Sequence, residues 1–224
     1  MRTAVVTGTS SGIGAAIASR LLKSGWRVVG LDRAPATIVN DAFVPVTVDL
    51  GVRTSRRDAV ARVNDVDALV HAAGIMRGGK LGELDHEAGE LLWKIHVDAA
   101  IDLADHFAPR LSDGGRIVLI GSRAAKGVVA KSQYGAAKAA LSALARAWAK
   151  ELITRGITVN VVAPAATETA MMTDPRRTIV PPETPPIGRR IKPEEVAALV
   201  GFLLSEEADA ITGQEISICG GASL

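Results

Sequence analysis

Short runs of β-branched and aliphatic residues alternate along this chain with longer segments of helical periodicity, and no other feature constrains the fold as much. Strands are expected at Thr3–Thr7, Arg27–Leu31, Val44–Asp49, Ala68–Ala72, Arg116–Gly121, Thr158–Ala163 and Glu215–Ile218. Helices are expected around Gly12–Ser24, Thr54–Val63, Asp85–Pro109, Gln133–Thr154 and Pro193–Ser205. Most strand runs are apolar throughout rather than alternating, as in strands covered on both faces. The β-α-β order with right-handed crossovers then gives a seven-stranded parallel sheet with helices on both faces, a doubly wound α/β domain spanning 1–224. Such sheets bind ligands outside the carboxyl ends of their strands, so the residues that follow each strand carry the functional information.

One segment fits no element. Residues 170–191 contain Pro175, Pro181, Pro182, Pro185 and Pro186, too many for a regular helix or strand. A loop of that length inside a compact domain is a lid, a binding loop or a disordered stretch. Helix and strand patterns resume after it and complete one sheet, so we read it as a substrate loop rather than a domain linker.

Composition narrows the partners. A net charge of +2 implies neither nucleic acid nor an anionic membrane surface. Aromatic residues at 3% leave little for a base-stacking surface. No apolar run reaches the ~18 residues of a membrane span. The single cysteine, Cys219, excludes an internal disulfide framework and suits a reducing compartment. With a first strand expected from Thr3, no signal peptide is expected, and a cytoplasmic location is. Nothing in the sequence calls for a metal.

The first strand runs into "TGTSSGIG", with Gly8, Ser11, Gly12, Ile13 and Gly14. Glycines there permit a tight turn and let backbone N–H groups approach a pyrophosphate at a helix N-terminus. The same residues also suit a turn that merely joins strand to helix. Asp32 ends the second strand, where a carboxylate accepts hydrogen bonds from ribose hydroxyls and repels a 2′-phosphate. That favours NAD over NADP. Arg33 follows at once and offers the opposite preference, and a solvated turn is the plainer use of Asp32. Asp49, before Leu50, holds an adenine edge or caps a turn.

The only tyrosine, Tyr134, lies four residues before Lys138 at the start of an alanine-rich helix, so the two share a face. An ammonium beside a phenol favours the phenolate, lowering a pKa of about 10. A tyrosine so tuned exchanges a proton with an alcohol or carbonyl near neutral pH. Ser122 follows the fifth strand in "IVLIGSR" and puts a hydroxyl at the same sheet edge.

Ser122, Tyr134 and Lys138 come in the order and spacing of the catalytic serine, tyrosine and lysine of the short-chain dehydrogenase/reductase family, which this chain resembles over nearly its whole length. "TGTSSGIG" resembles that family's cofactor turn, and "HAAG" (71–74) its fourth-strand motif. "NVVAPAATET" (160–169) resembles the sixth-strand segment, and "ITGQEISICGG" (211–221) the last strand. The resemblance implies a Rossmann-like fold and a nicotinamide cofactor. It makes Tyr134 the general acid/base, Lys138 the residue that tunes it and holds the nicotinamide ribose, and Ser122 a donor to the substrate oxygen. It also implies that Gly8, Ser11, Gly12 and Gly14 shape the pyrophosphate turn over Ile13. Asp32, Arg33, Asp49, Leu50, Ala72, Ala73 and Gly74 take the adenosine side, and Pro164, Thr167 and Thr169 the nicotinamide side.

The chain also departs from the pattern. His71 and Ala72 stand where two asparagines are usual, and Ala165 replaces a glycine. His96 stands where an asparagine supports a proton-relay water: either the helix kink there is lost, the imidazole takes over a catalytic relay, or it is structural. The family pattern implies a homodimer or homotetramer built on the alanine-rich helix.

The expected activity is hydride transfer between NAD and a secondary alcohol or ketone, the oxidising rate rising with pH as Tyr134 ionises. A dinucleotide-binding regulatory protein is the alternative, and the same fold used for epimerisation or dehydration a third. Arg123, Lys126, Arg176 and Arg177 near the substrate loop suit either an anionic substrate or solvated cations.

Overall fold

The computed structural model describes residues 1–61, 63–174 and 183–224. Strands β1 (Thr3–Thr7), β2 (Arg27–Asp32), β3 (Phe43–Thr47), β4 (Val66–His71), β5 (Leu111–Ile120), β6 (Thr158–Pro164) and β7 (Glu215–Ile218) form one sheet in the order β3-β2-β1-β4-β5-β6-β7. Every neighbouring pair is parallel.

The apolar runs are continuous because both faces are covered. Within β1, Val5 packs with α2 (Arg53–Val60), α4 (Ala99–Phe107) and α5 (Ser132–Leu152) on one side. Ala4 and Val6 pack with α1 (Gly12–Lys23) and α6 (Pro193–Leu203) on the other. Successive side chains of a strand point to opposite faces, so a doubly covered strand must be apolar at every position.

From β1 the chain proceeds to β2 and β3 on one flank, and β4 resumes on the other. The loops leaving β1 and β4 therefore part company and open a crevice at the carboxyl edge.

Two expectations need correction. The helix expected over Asp85–Pro109 is not continuous: α3 (His86–Trp93) gives way to a π-helical turn over Lys94–Asp98 before α4 begins. The kink at His96 is thus present. In addition, β5 starts at Leu111, before the glycines Gly114 and Gly115, and its pairing with β4 shifts register between Val66 and Ala68. The substrate loop opens with a 3-10 turn over Ala170–Met172, and a single bridge joins Thr167 to Ile191. Pro175, Arg176, Arg177, Pro181 and Pro182 lie outside the described residues.

Candidate active site

A cleft of about 650 Å³ follows the carboxyl edge of the sheet. Every residue expected to bind cofactor or act in catalysis lines it, from Gly8 and Asp32 at one end to Ser122, Tyr134 and Lys138 at the other.

The glycine turn is packed too tightly for side chains. Gly8 has φ +76°, and a Cβ there would lie 2.9 Å from Ala73 Cα. A Cβ on Gly14 would lie 2.1 Å from the Gly8 carbonyl oxygen. Ile13 packs into the core beneath. The α1 N-terminus has no side-chain cap, since the Ser11 hydroxyl makes no capping bond, and no acidic residue stands in the first turn. Its backbone N–H groups and positive dipole end therefore face the cleft. This cradle fits a dinucleotide pyrophosphate.

At the end of β2, Asp32 accepts hydrogen bonds from Ser10 N–H (2.9 Å) and Ala34 N–H (3.0 Å), one on each carboxylate oxygen. Each oxygen keeps acceptor capacity for a ribose hydroxyl. Arg33 is exposed. Asp49 accepts from Gly51 N–H at 2.8 Å and so caps its own turn, while Leu50 is buried behind it. On the opposite wall, Thr169 methyl and Cβ atoms sit 3.1 and 3.3 Å from where a Gly12 Cβ would be, which brings the β6 loop onto the glycine turn. Thr167 Oγ1 donates to the Ala165 carbonyl at 3.0 Å, at the end of the strand that closes with Pro164.

Tyr134 and Lys138 are buried on one face of α5. The Lys138 ammonium lies 5.9 Å from the Tyr134 ring centroid and donates to the Ile120 carbonyl at 2.7 Å. Burial pulls its pKa down from 10.5 to about 7. Ser122 Oγ accepts from Ala124 N–H at 3.1 Å, which orients the hydroxyl and leaves its proton to donate.

Two histidines fasten β4 to the π-helical turn. Thr7 Oγ1 accepts from both Ala72 N–H and Ala73 N–H at 2.9 Å, so its own proton goes to His71 Nδ1 at 3.1 Å. His71 Nε2 therefore carries a proton, which it donates to the Ile95 carbonyl at 3.1 Å. In return His96, inside the turn, donates from Nε2 to the Ile75 carbonyl at 2.9 Å. Burial drives the His71 pKa down to about 3 and that of His96 well below its usual value. Both imidazoles are thus neutral at ordinary pH. His96 stands edge-on to Tyr134 at 5.5 Å between centroids, and a Cβ on Gly74 would lie 2.4 Å from its Cε1. Gly74 is glycine because the ring occupies that space.

We expect His71→Leu to lower stability by about 2–4 kcal/mol, because it strands the Ile95 carbonyl and the Thr7 hydroxyl. The wild-type His71 stays neutral while an unfolded one protonates below about 6.5, so native stability falls as pH drops from 6.5 toward 3. The gap between wild type and variant should therefore narrow below pH 6.5 in thermal melts; a gap below about 0.5 kcal/mol at pH 7 would dismiss the clasp.

A family model described as "Enoyl-(Acyl carrier protein) reductase" matches residues 8–223. A 3-oxoacyl-(acyl-carrier-protein) reductase of Salmonella typhimurium is 33% identical over 238 residues, covering 97% of this chain and 96% of that one. A solved structure described as a short chain dehydrogenase/reductase family protein superposes with a TM-score of 0.91 at 34% identity, covering 99% of this chain and 97% of the other. The chain belongs to the short-chain dehydrogenase/reductase family.

Another member of that family, a short chain dehydrogenase from Burkholderia cenocepacia in complex with NADP, superposes with a TM-score of 0.89 at 33% identity, covering 100% of this chain and 98% of that one. Within this short-chain dehydrogenase/reductase, sequence reasoning missed Ser10 and Met76 as cleft residues, whereas Met171 and Met172 fall in the segment read as a substrate loop. It also missed His71 as the centre of a polar network. Met76 follows the end of β4, the one signal that pointed to it. Among the described residues no group of His, Cys, Asp or Glu is arranged to hold a metal, and no helix is long and apolar enough to cross a membrane.

Proposed function

We propose that the protein is an oxidoreductase that moves a hydride between NAD(H) and a secondary alcohol or ketone. One observation carries the reading: a buried Tyr134–Lys138 pair shares a continuous cleft with a glycine-rich, uncapped helix N-terminus. When bound, the nicotinamide would supply the hydride acceptor or donor. Tyr134 takes the alcohol proton during oxidation and returns it during reduction. Ser122 donates to the same substrate oxygen, its own oxygen fixed by the Ala124 N–H. Lys138 is anchored by the Ile120 carbonyl and keeps two N–H groups for ribose hydroxyls. His96 holds the wall behind Tyr134 through the Ile75 carbonyl.

The cofactor choice rests on Asp32. Its carboxylate is fixed at the end of β2 by two backbone amides, where a 2′-phosphate would meet like charge, while the neighbouring Arg33 is exposed. The Burkholderia cenocepacia relative holds NADP, so the preference has to be measured on this chain. Secondary alcohols and ketones assayed with both cofactors, by nicotinamide absorbance, should give a kcat/KM at least about tenfold higher for NAD(H). Asp32→Ala should shrink that ratio by about as much. A ratio at or below unity overturns the choice of NAD, and absence of any turnover overturns the oxidoreductase reading.

We assign the assembly to a second copy docking on α5, where Ala136, Ala139, Ala143 and Ala147 are exposed and permit close helix approach. Exposed apolar residues Leu91 and Trp93 on α3 and Ile101 on α4 add area nearby. Sedimentation at micromolar concentration should give a dimer or tetramer; a monomer mass refutes it.

A further inference from the structure

Three of the chain's four methionines, Met76, Met171 and Met172, line the cleft. Met76 is 5% exposed and forms a cluster with Leu92, Ala124 and Tyr134, against which Val128 and Met171 pack. The segments after β4 and after β6, distant in sequence, are drawn together there by an ion pair. Arg77 Nη1 lies 3.2 Å from an Asp174 carboxylate oxygen and also donates to the Met76 carbonyl at 2.6 Å. The Arg77 charge is thus answered within the protein. Arg77 is also not among the residues that line the cleft, so its charge is not offered to a substrate there.

Granting the oxidoreductase reading, we propose that the substrate is an uncharged carbonyl compound or secondary alcohol with a sizeable apolar group, and that the thioether wall accepts a range of shapes rather than one. Unbranched thioether chains with three rotatable bonds re-pack around different apolar bodies and make favourable contacts with aromatic rings. In the oxidising direction the carbinol carbon gives up its hydrogen with the bonding pair to oxidised dinucleotide. The hydroxyl proton goes to Tyr134, leaving the ketone. Of the cations suggested for an anionic substrate, Arg123 lines the cleft, Lys126 is exposed and does not, and Arg176 and Arg177 are outside the described residues.

The test measures NADH-dependent reduction of acetone, cyclohexanone, acetophenone and the para-carboxylated analogue of acetophenone. We expect kcat/KM to rise by at least about 30-fold from acetone to acetophenone, because each buried CH₂-equivalent contributes roughly fourfold. The carboxylated analogue should be at least about tenfold poorer than acetophenone itself. Met171→Ala should shrink the acetophenone-to-acetone ratio by about tenfold, and Met171→Leu should restore most of it. NADH binding, followed by its fluorescence, is measured alongside. Equal rates across the neutral series, or preference for the carboxylated ketone, overturn the proposal and leave the oxidoreductase reading standing. NADH binding without reduction of any ketone overturns both.

Discussion

Tyr134→Phe should lower kcat for alcohol oxidation by about a thousandfold or more, since a positioned acid/base group contributes on the order of 10²–10⁴. Dinucleotide affinity should change by less than about threefold, because the substitution removes one oxygen and leaves the glycine cradle intact. The split between kcat and cofactor affinity is what matters. Tyr134 is 7% exposed, packs with Met76, Leu92 and Ala124, and meets the His96 ring edge-on. A purely structural tyrosine there would give up packing or stability on losing its hydroxyl, not three orders of magnitude in rate. The wild-type oxidation rate should also rise with pH, as the ionised phenol is the form that accepts a proton, and that limb should vanish in the variant. Stopped-flow absorbance of the reduced cofactor measures the rate, and fluorescence titration the affinity. A variant retaining a tenth of wild-type turnover would remove Tyr134 from proton transfer.

Much of this was legible because burial on both faces writes itself into a strand. Val5 and its neighbours Ala4 and Val6 serve opposite cores, so β1 had to be apolar without interruption, and the other inner strands likewise. The tight glycine turn was legible for a related reason: no side chain fits where Gly14 meets the Gly8 carbonyl, though it was the turn's place after β1, not its spacing alone, that pointed to a phosphate. Other features left no local trace. The π-helical turn over Lys94–Asp98 has ordinary helical composition, and what accompanies it is the pair of cross-chain bonds from His71 to Ile95 and from His96 to Ile75. The front of β5 reads as a turn because Ser112, Asp113, Gly114 and Gly115 are turn residues, yet it pairs at the sheet end where β4 shifts register. The lysine was recognised from its spacing to Tyr134, but spacing says nothing of dielectric. Its burial, and the low pKa that follows, depend on Ile120 and the α5 packing.

That burial makes Lys138→Met a substitution with opposite effects on activity and stability. Turnover should fall by about 10²–10³, with the loss of the amine N–H donors beside Tyr134. Stability at pH 6 should nevertheless rise by about 1–3 kcal/mol. The native pKa of about 7 lies well under the value near 10.5 of an unfolded lysine. Below pH 7 both states carry the charge, and the native state bears the whole cost of burying it, at most about 4–5 kcal/mol. Losing the bond to the Ile120 carbonyl offsets part of the gain from removing that cost, by about 1–3 kcal/mol. Between pH 7 and 10.5 the unfolded chain binds more protons than the native one, so wild-type stability climbs with pH while that of the methionine variant does not. The variant's advantage should accordingly shrink by several kcal/mol across that window and change sign within it, at about pH 8–9. Thermal melts of the two proteins at matched pH from 6 to 10 measure this difference directly, with every other titrating group common to both. A difference that stays constant over the range would mean that Lys138 is hydrated in solution, and the ammonium beside Tyr134 would then be present at the alkaline pH where alcohol oxidation is fastest.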